Sequence, residues 1–416
     1  MRKWIAVLAA VGLAVSATHA HAAERGATSK PLQQMIGQMI MVGFLGDTKD
    51  HAWFRNVVEQ VRQGKVTGVL YLARNIRHQQ AVSDMNKALN QAVETGLKPI
   101  IGVDQEGGFV QRLTPKVGFP SMPSARRVAR SMEPRRAYEA YAALAQRLRK
   151  WGFNFNLGPV VDLDINPQNP IIGRLGRSFS KDPKTVAQYA AAFVEGHRKH
   201  GVLTVLKHFP GHGSSLQDSH KTVVDVSKTW QKSELAPYRE LIRQGYADMV
   251  MSGHIRNKHL QPASDRHPAS LSPSVLTGLL RDSLGHRGIV ISDDMQMHAI
   301  SQRYSFDEAI KRAVLAGTDI LVFANDKNPD LHAPDRVISI LTREAKTNET
   351  MRARIEASYK RIMRLKKKLS DTAMHALPSS DARSSSRAIG TGAQASKVMT
   401  PELIKTVRRT IRLGVN

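Results

Sequence analysis

Gly201-Val202-Leu203-Thr204-Val205-Leu206-Lys207-His208-Phe209-Pro210-Gly211-His212-Gly213-Ser214-Ser215-Leu216-Gln217-Asp218-Ser219-His220 is the stretch that decides the fold. Its first six residues are an apolar run of the length of a buried strand. Lys207 and His208 follow at the C-terminal end of that run. A loop with two glycines and a proline comes next and ends in Asp218 and His220. Polar groups at the C-terminal end of a buried strand, followed by a long loop, are the pattern of a barrel active site. Any one of these histidines reads as a solvated loop residue. Three histidines, a lysine and an aspartate in one loop read as a site.

Seven further apolar runs surround this one. They cover residues 37–44, 66–72, 99–104, 155–162, 247–254, 288–293 and 317–324. Helical periodicity lies between them at 52–63, 77–95, 134–151, 182–199, 231–244, 273–284 and 305–316, with a last helix over about 334–367. In 77–95, Val82, Met85, Leu89 and Val93 fall on one face. Eight strands alternating with helices over residues 30–369 give an α/β fold, a (β/α)8 TIM-type barrel forming a single catalytic domain. A doubly wound open sheet is the alternative. Polar residues at several strand ends favour the barrel, where those ends converge on one face.

Residues 1–22 carry a basic start at Arg2 and Lys3, an apolar run and Ala20-His21-Ala22, the pattern of a cleaved signal peptide. An exported, soluble protein, periplasmic or secreted, is the expectation. Residues 370–399 read as a flexible Ser/Gly/Ala-rich linker, and 400–416 as a short basic amphipathic tail. The chain has 416 residues and no cysteine, which excludes disulfides, thiolate metal sites and a cysteine nucleophile. Its formal charge of +26 fits an anionic wall or membrane surface as partner. No nucleic-acid-binding module is visible, and a monomer is expected.

Asp104 ends the third run, in Val103-Asp104-Gln105-Glu106-Gly107-Gly108, and can accept bonds from ligand hydroxyls. Arg112 can donate to the same ligand, and Arg177, in Leu175-Gly176-Arg177-Ser178-Phe179, offers a planar set of donors. In Asp218-Ser219-His220, side chains two apart share a side in an extended segment, so Asp218 can orient His220 for acid/base work. The pair Asp293-Asp294 ends the seventh run. Only one of them should face the mouth, and periodicity leaves open which.

These motifs together resemble the bacterial β-N-acetylhexosaminidases of glycoside hydrolase family 3, over most of residues 30–367. The resemblance implies a retaining mechanism without metal or cofactor, acting on amino-sugar oligosaccharides or muropeptides. It implies Asp293 as nucleophile and His220 as acid/base, oriented by Asp218. It also implies that Asp104, Arg112, Arg177, Lys207 and His208 hold the terminal N-acetylglucosamine. The export signal departs from relatives that recycle wall fragments in the cytosol. The lack of a large second domain implies an acid/base drawn from the barrel. The glycines and serines of 211–215 are expected to make the loop mobile. A metal-dependent hydrolase using His208, His212, Asp218, His220 and His254, a β-glucosidase-like enzyme and a non-catalytic wall-binding protein are the competing readings.

Overall fold

The computed structural model describes residues 31–94, 96–219 and 221–375. The barrel strands are β1 (Ile40–Gly43), β2 (Gly68–Tyr71), β3 (Ile100–Val103), β4 (Phe155–Asn156), β5 (Leu203–Thr204 and Leu206–Phe209), β6 (Met249–Ser252), β7 (Ile289–Asp294) and β8 (Ile320–Phe323). Every pairing among them is parallel. The two pieces of β5 lie at opposite ends of the hydrogen-bonded order, one on β4 and the other on β6. They are one continuous stretch of chain, so the sheet closes into a ring. That is the expected (β/α)8 barrel, and the open sheet is excluded.

The strands stand out in the sequence because helices cover the barrel outside and side chains fill it inside. β1, β2, β3, β6 and β8 are buried along their whole length, as all-parallel strands are. The covering helices bury one stripe each. Ala52–Arg62 buries Phe54, Val57 and Val61, and Gln79–Gln91 buries Val82, Met85 and Leu89. Val93, expected on the same face, lies beyond that helix and packs against the core from its edge.

Three elements differ from expectation. The fourth strand is short, because Pro159 has no N–H to give the ladder, and pairing resumes as a single bridge from Val160 to Lys207. The fifth runs on through Phe209, so Lys207 and His208 are strand residues. The last helix is two helices, Ala333–Glu344 and Glu349–His375. Asn348 starts the second, its side chain accepting from Met351 N at 3.0 Å. This second helix reaches into the expected linker by six residues, 370–375. The rest of that linker, the tail and the signal-peptide segment lie outside the described residues.

The base of the barrel is tied by Asp319, whose side chain is fully buried. It accepts from Arg281 Nη2 at 2.6 Å, Arg361 Nε at 3.0 Å, Ser358 Oγ at 2.7 Å and Val290 N at 2.8 Å. One carboxylate thus joins β7, β8 and the last helix, leaving the opposite, C-terminal face for chemistry.

Candidate active site

The C-terminal ends of the strands open into a cavity of about 470 Å³, in the size range of small-molecule sites. Seven of the eight residues expected at the site line it: Asp104, Arg112, Arg177, Lys207, His208, Asp218 and Asp293. The eighth, His220, lies outside the described residues.

The floor is an ion-paired cluster. Lys207 is buried, and its Nζ lies 2.9 Å from Asp104 Oδ1 and 2.7 Å from Glu106 Oε1. Arg177 Nε donates to Glu106 Oε2 and Nη2 to Oε1, each at 2.8 Å, while Nη1 donates to Ile171 O at 2.9 Å. Arg112 stands further off, 3.7 Å from Asp104. Burial opposes the charge of Glu106, yet Arg177 and Lys207 outweigh it and hold its carboxyl well below the usual range. Lys207 is likewise pushed up, because Asp104 and Glu106 outweigh its burial. Glu106 and Lys207 are therefore both held in their charged forms.

Glu106 was absent from the expected set, although it sits inside the quoted Val103–Gly108 motif. Its presence changes the reading of Arg177. Three of the five N–H groups of that guanidinium are spent on Glu106 and Ile171 O, so Arg177 is first a clamp on the floor. The remaining donors are what it can offer a ligand.

Asp162 was also missed. It is buried two residues past the Val160 bridge and accepts from His208 Nδ1 at 2.7 Å, His208 N at 3.1 Å and His212 N at 2.8 Å. Burial works against its charge, but these contacts hold its carboxyl below the usual range. With Nδ1 held by Asp162, His208 has its tautomer and ring orientation set, and its Nε2 edge is the one to serve a ligand. Asp162 closes the apolar run 155–162, and that was the available signal, the same one that marked Asp104.

β7 ends in Asp293 and Asp294, and the structure separates them. Asp294 Oδ1 accepts from Gln296 N at 3.1 Å and Ala324 N at 3.0 Å, bracing the turn against the end of β8. Burial raises the Asp294 carboxyl to about 6. Asp293 accepts from Asp294 N at 2.8 Å. Both aspartates line the cavity, where only one was expected to face it, and what separates them is that the Asp294 carboxylate is committed to the turn.

The loop after β5 is packed where it was expected to be mobile. Gly213 lies so close to the backbone of Leu163 that a Cβ there would come within 1.9 Å of Leu163 O. Its N–H donates to Glu234 Oε2 at 3.0 Å. Asn169 Nδ2 donates to His212 O at 2.7 Å, and Asn166 Nδ2 to Ser215 O at 2.9 Å. The His212 ring is buried between Ser215 Oγ at 2.6 Å and Ser219 Oγ at 3.1 Å. Burial lowers its pKa to about 4, so it is a neutral strut that fixes the approach to Asp218. The glycines are there for close packing. Among the loop's described residues only Leu216 and Gln217 are exposed.

Three of the four histidines of the metal reading are spoken for in the same way, and the fourth, His220, lies outside the described residues. His254 bonds Ser270 Oγ at 2.7 Å and Asp294 O at 3.0 Å, and His212 and His208 have the partners given above. Among the described residues no group of three His, Cys, Asp or Glu is arranged to hold a metal ion.

Comparison with known proteins agrees with this geometry. Beta-hexosaminidase A of Pseudoalteromonas piscicida is 29% identical over 385 residues, which are 85% of this chain and 64% of that protein. The chain thus spans under two thirds of that relative's length. Beta-hexosaminidase of Tolumonas auensis is 34% identical over 65% of this chain and 78% of its own. Among solved structures, a glycoside hydrolase family 3 beta-N-acetylglucosaminidase from Paenibacillus sp. superposes with a TM-score of 0.75 at 29% identity, covering 92% of this chain and 68% of the other. The beta-N-acetylhexosaminidase of Beutenbergia cavernae gives a TM-score of 0.72 at 28% identity, covering 82% of this chain and 99% of the other. Residues 31–365 match the glycosyl hydrolase family 3 N terminal domain, and the chain belongs to that family.

Proposed function

We propose that this chain is an exo-acting, retaining β-N-acetylhexosaminidase. It removes terminal non-reducing N-acetylglucosamine from cell-wall muropeptides or chitin-type oligosaccharides, outside the cytoplasm. The observation that carries the reading is the convergence of Asp293 with the Asp104–Lys207–Glu106–Arg177 floor on one cavity at the barrel's C-terminal face, in a family 3 chain.

In this reading the floor binds the terminal sugar. Asp104 accepts from its hydroxyls, Lys207 and Arg112 donate to them, and the Nε2 edge of His208 meets a further hydroxyl. Arg177 offers its remaining donors. Asp293 attacks the anomeric carbon to form a glycosyl-enzyme. His220, oriented by Asp218, protonates the leaving oxygen and then takes a proton from the incoming water. The covalent intermediate makes the outcome retention. The basic surface favours approach to anionic wall polymers or lipid headgroups.

The test is hydrolysis of an aryl β-N-acetylglucosaminide against the matching aryl β-glucoside, with the anomer first released followed by NMR. Preferential release of β-N-acetylglucosamine supports the proposal. Preference for the glucoside overturns the substrate, and first release of the α-anomer overturns the mechanism.

A further inference from the structure

Among the described residues, two large hydrophobic side chains are left exposed, Phe109 at 73% and Leu216 at 70%. Phe109 belongs to the site, and Leu216 is on the loop that leads to it. Phe109 lines the cavity with Asp104, Asp218 and Asp293, and Leu216 lies two residues before Asp218. Single exposed apolar residues scattered over a surface need no explanation. Phe109 is not such a case, because it lines the cavity and is held out on purpose-built backbone.

Phe109 is at the tip of a hairpin in which Gln105–Gly107 pairs with Val110–Gln111. The tip turns through Gly107 and Gly108, at φ +106° and +61°, where a side chain would be strained. A Cβ on Gly107 would meet Pro123 O at 2.3 Å, and one on Gly108 would meet Ser124 Cβ at 2.5 Å. Gly108 N donates to Met122 O at 2.8 Å, and Gln111 bridges the tip from Gly108 O to Met122 N, each at 2.8 Å. Gln105 anchors the hairpin base, its side chain bonding Leu113 O, Leu113 N and Arg112 N. The ring is thus presented at the mouth on a fixed support, and ordering it on binding costs little.

We infer that Phe109 is the platform of an aglycone subsite, on which the pyranose ring next to the cleaved bond packs one face. A β-linked pyranose in its chair presents axial C–H groups on each face, and these suit the electron-rich face of an aromatic ring. The polar floor lies deeper and is occupied by the terminal sugar whose glycosidic bond is broken, so the ring at the rim is the leaving sugar. Pro170, Ile171 and Leu175 add apolar wall to the same cavity. The inference rests on the proposed hydrolysis of amino-sugar glycosides and assigns the aglycone as a sugar ring in preference to a stem peptide.

The experiment compares N,N′-diacetylchitobiose, whose leaving group is a pyranose, with methyl β-N-acetylglucosaminide, whose leaving group has no ring. Phe109→Ala is expected to lower kcat/KM about tenfold on the disaccharide while leaving the methyl glycoside within about twofold. Phe109→Trp is expected to keep the disaccharide activity. Equal loss on both substrates, or no loss on the disaccharide, overturns the platform. So does a loss confined to peptide-bearing muropeptides, which would assign the rim to the peptide. If the unmodified enzyme releases N-acetylglucosamine from neither substrate, the hexosaminidase reading itself falls, and the platform with it.

Discussion

Arg177 holds Glu106 through two hydrogen bonds, Nε to Oε2 and Nη2 to Oε1, each 2.8 Å long, and both side chains are buried. Lys207 Nζ shares Oε1 of the same carboxylate at 2.7 Å. Glu106 therefore pairs with both buried cations, and Asp104 is the second counter-charge of Lys207. Glu106→Gln removes that pairing while keeping the shape. Breaking a buried pair from one side costs on the order of 3–5 kcal/mol, so urea unfolding should begin at clearly lower concentration. The KM for the aryl substrate should rise as Lys207 loses its aim. Unchanged unfolding would mean that the cluster is hydrated.

Asp293 and Asp294 are neighbours with different predicted fates. Asp293→Asn should lower kcat by at least about a thousandfold, as loss of a nucleophile does. Asp294→Asn keeps an oxygen for Gln296 N and Ala324 N, and should stay within about tenfold of the parent. Since Asp294 is raised to about 6 by burial, its charge form weakens the fold as pH rises towards and past that value. The Asn variant should therefore match or exceed the parent's Tm at pH 8. Activity assays and thermal melts on the two variants check this together.

The acid/base assignment is tested by leaving groups. His220→Ala should slow a methyl or sugar leaving group by about a hundredfold or more, in the range general acid catalysis supplies. An activated aryl leaving group needs no proton and should lose far less in the glycosylation step. Equal losses on both would remove His220 from that role. Asp218→Asn should show the same ratio in milder form.

Glu234 sits beneath the loop, accepting from Gly213 N, and burial raises its carboxyl to about 7. The folded chain keeps this proton between about 4.5 and 7, where the unfolded chain has lost it. Stability from this group is present at low pH and lost as pH climbs through that window. The loss amounts to about 3 kcal/mol by pH 8. Glu234→Gln has no such loss. Its Tm relative to the parent should rise by several degrees between pH 5 and pH 8, and a pH-independent difference would show that Glu234 is ionised throughout.

Much of the barrel was legible because each strand is an apolar run with both faces covered, which leaves a mark no surface strand leaves. The site was legible for a related reason. A polar residue such as Asp104 or Lys207 directly at the end of such a run has few places to go but the mouth. What such a pattern does not carry is pairing between strands. That Glu106 would take up Arg177, and Asp162 the ring of His208, depends on which strand ends meet across the barrel. Gly213 shows the same limit. Its lack of a side chain reads alike for a flexible hinge and for a close approach to Leu163, and only the neighbour decides. The break before Glu349 was missed because Lys346 and Asn348 keep the polar face of a helix going, although Asn348 is itself a good first-turn cap.

The closure of the ring has a consequence for how the chain is made. β1 pairs with β2 on one side and with β8 on the other, Ile40 lying opposite Leu321. A ribosome emits β1 long before β8 exists, so the early strands must wait with an open edge. The carboxylate of Asp319, which pins the base, arrives with β8, and its partners Ser358 and Arg361 later still. No nascent intermediate can hold a finished barrel. Whatever machinery accompanies the emerging polypeptide has nearly the whole of synthesis in which to act on an unclosed sheet.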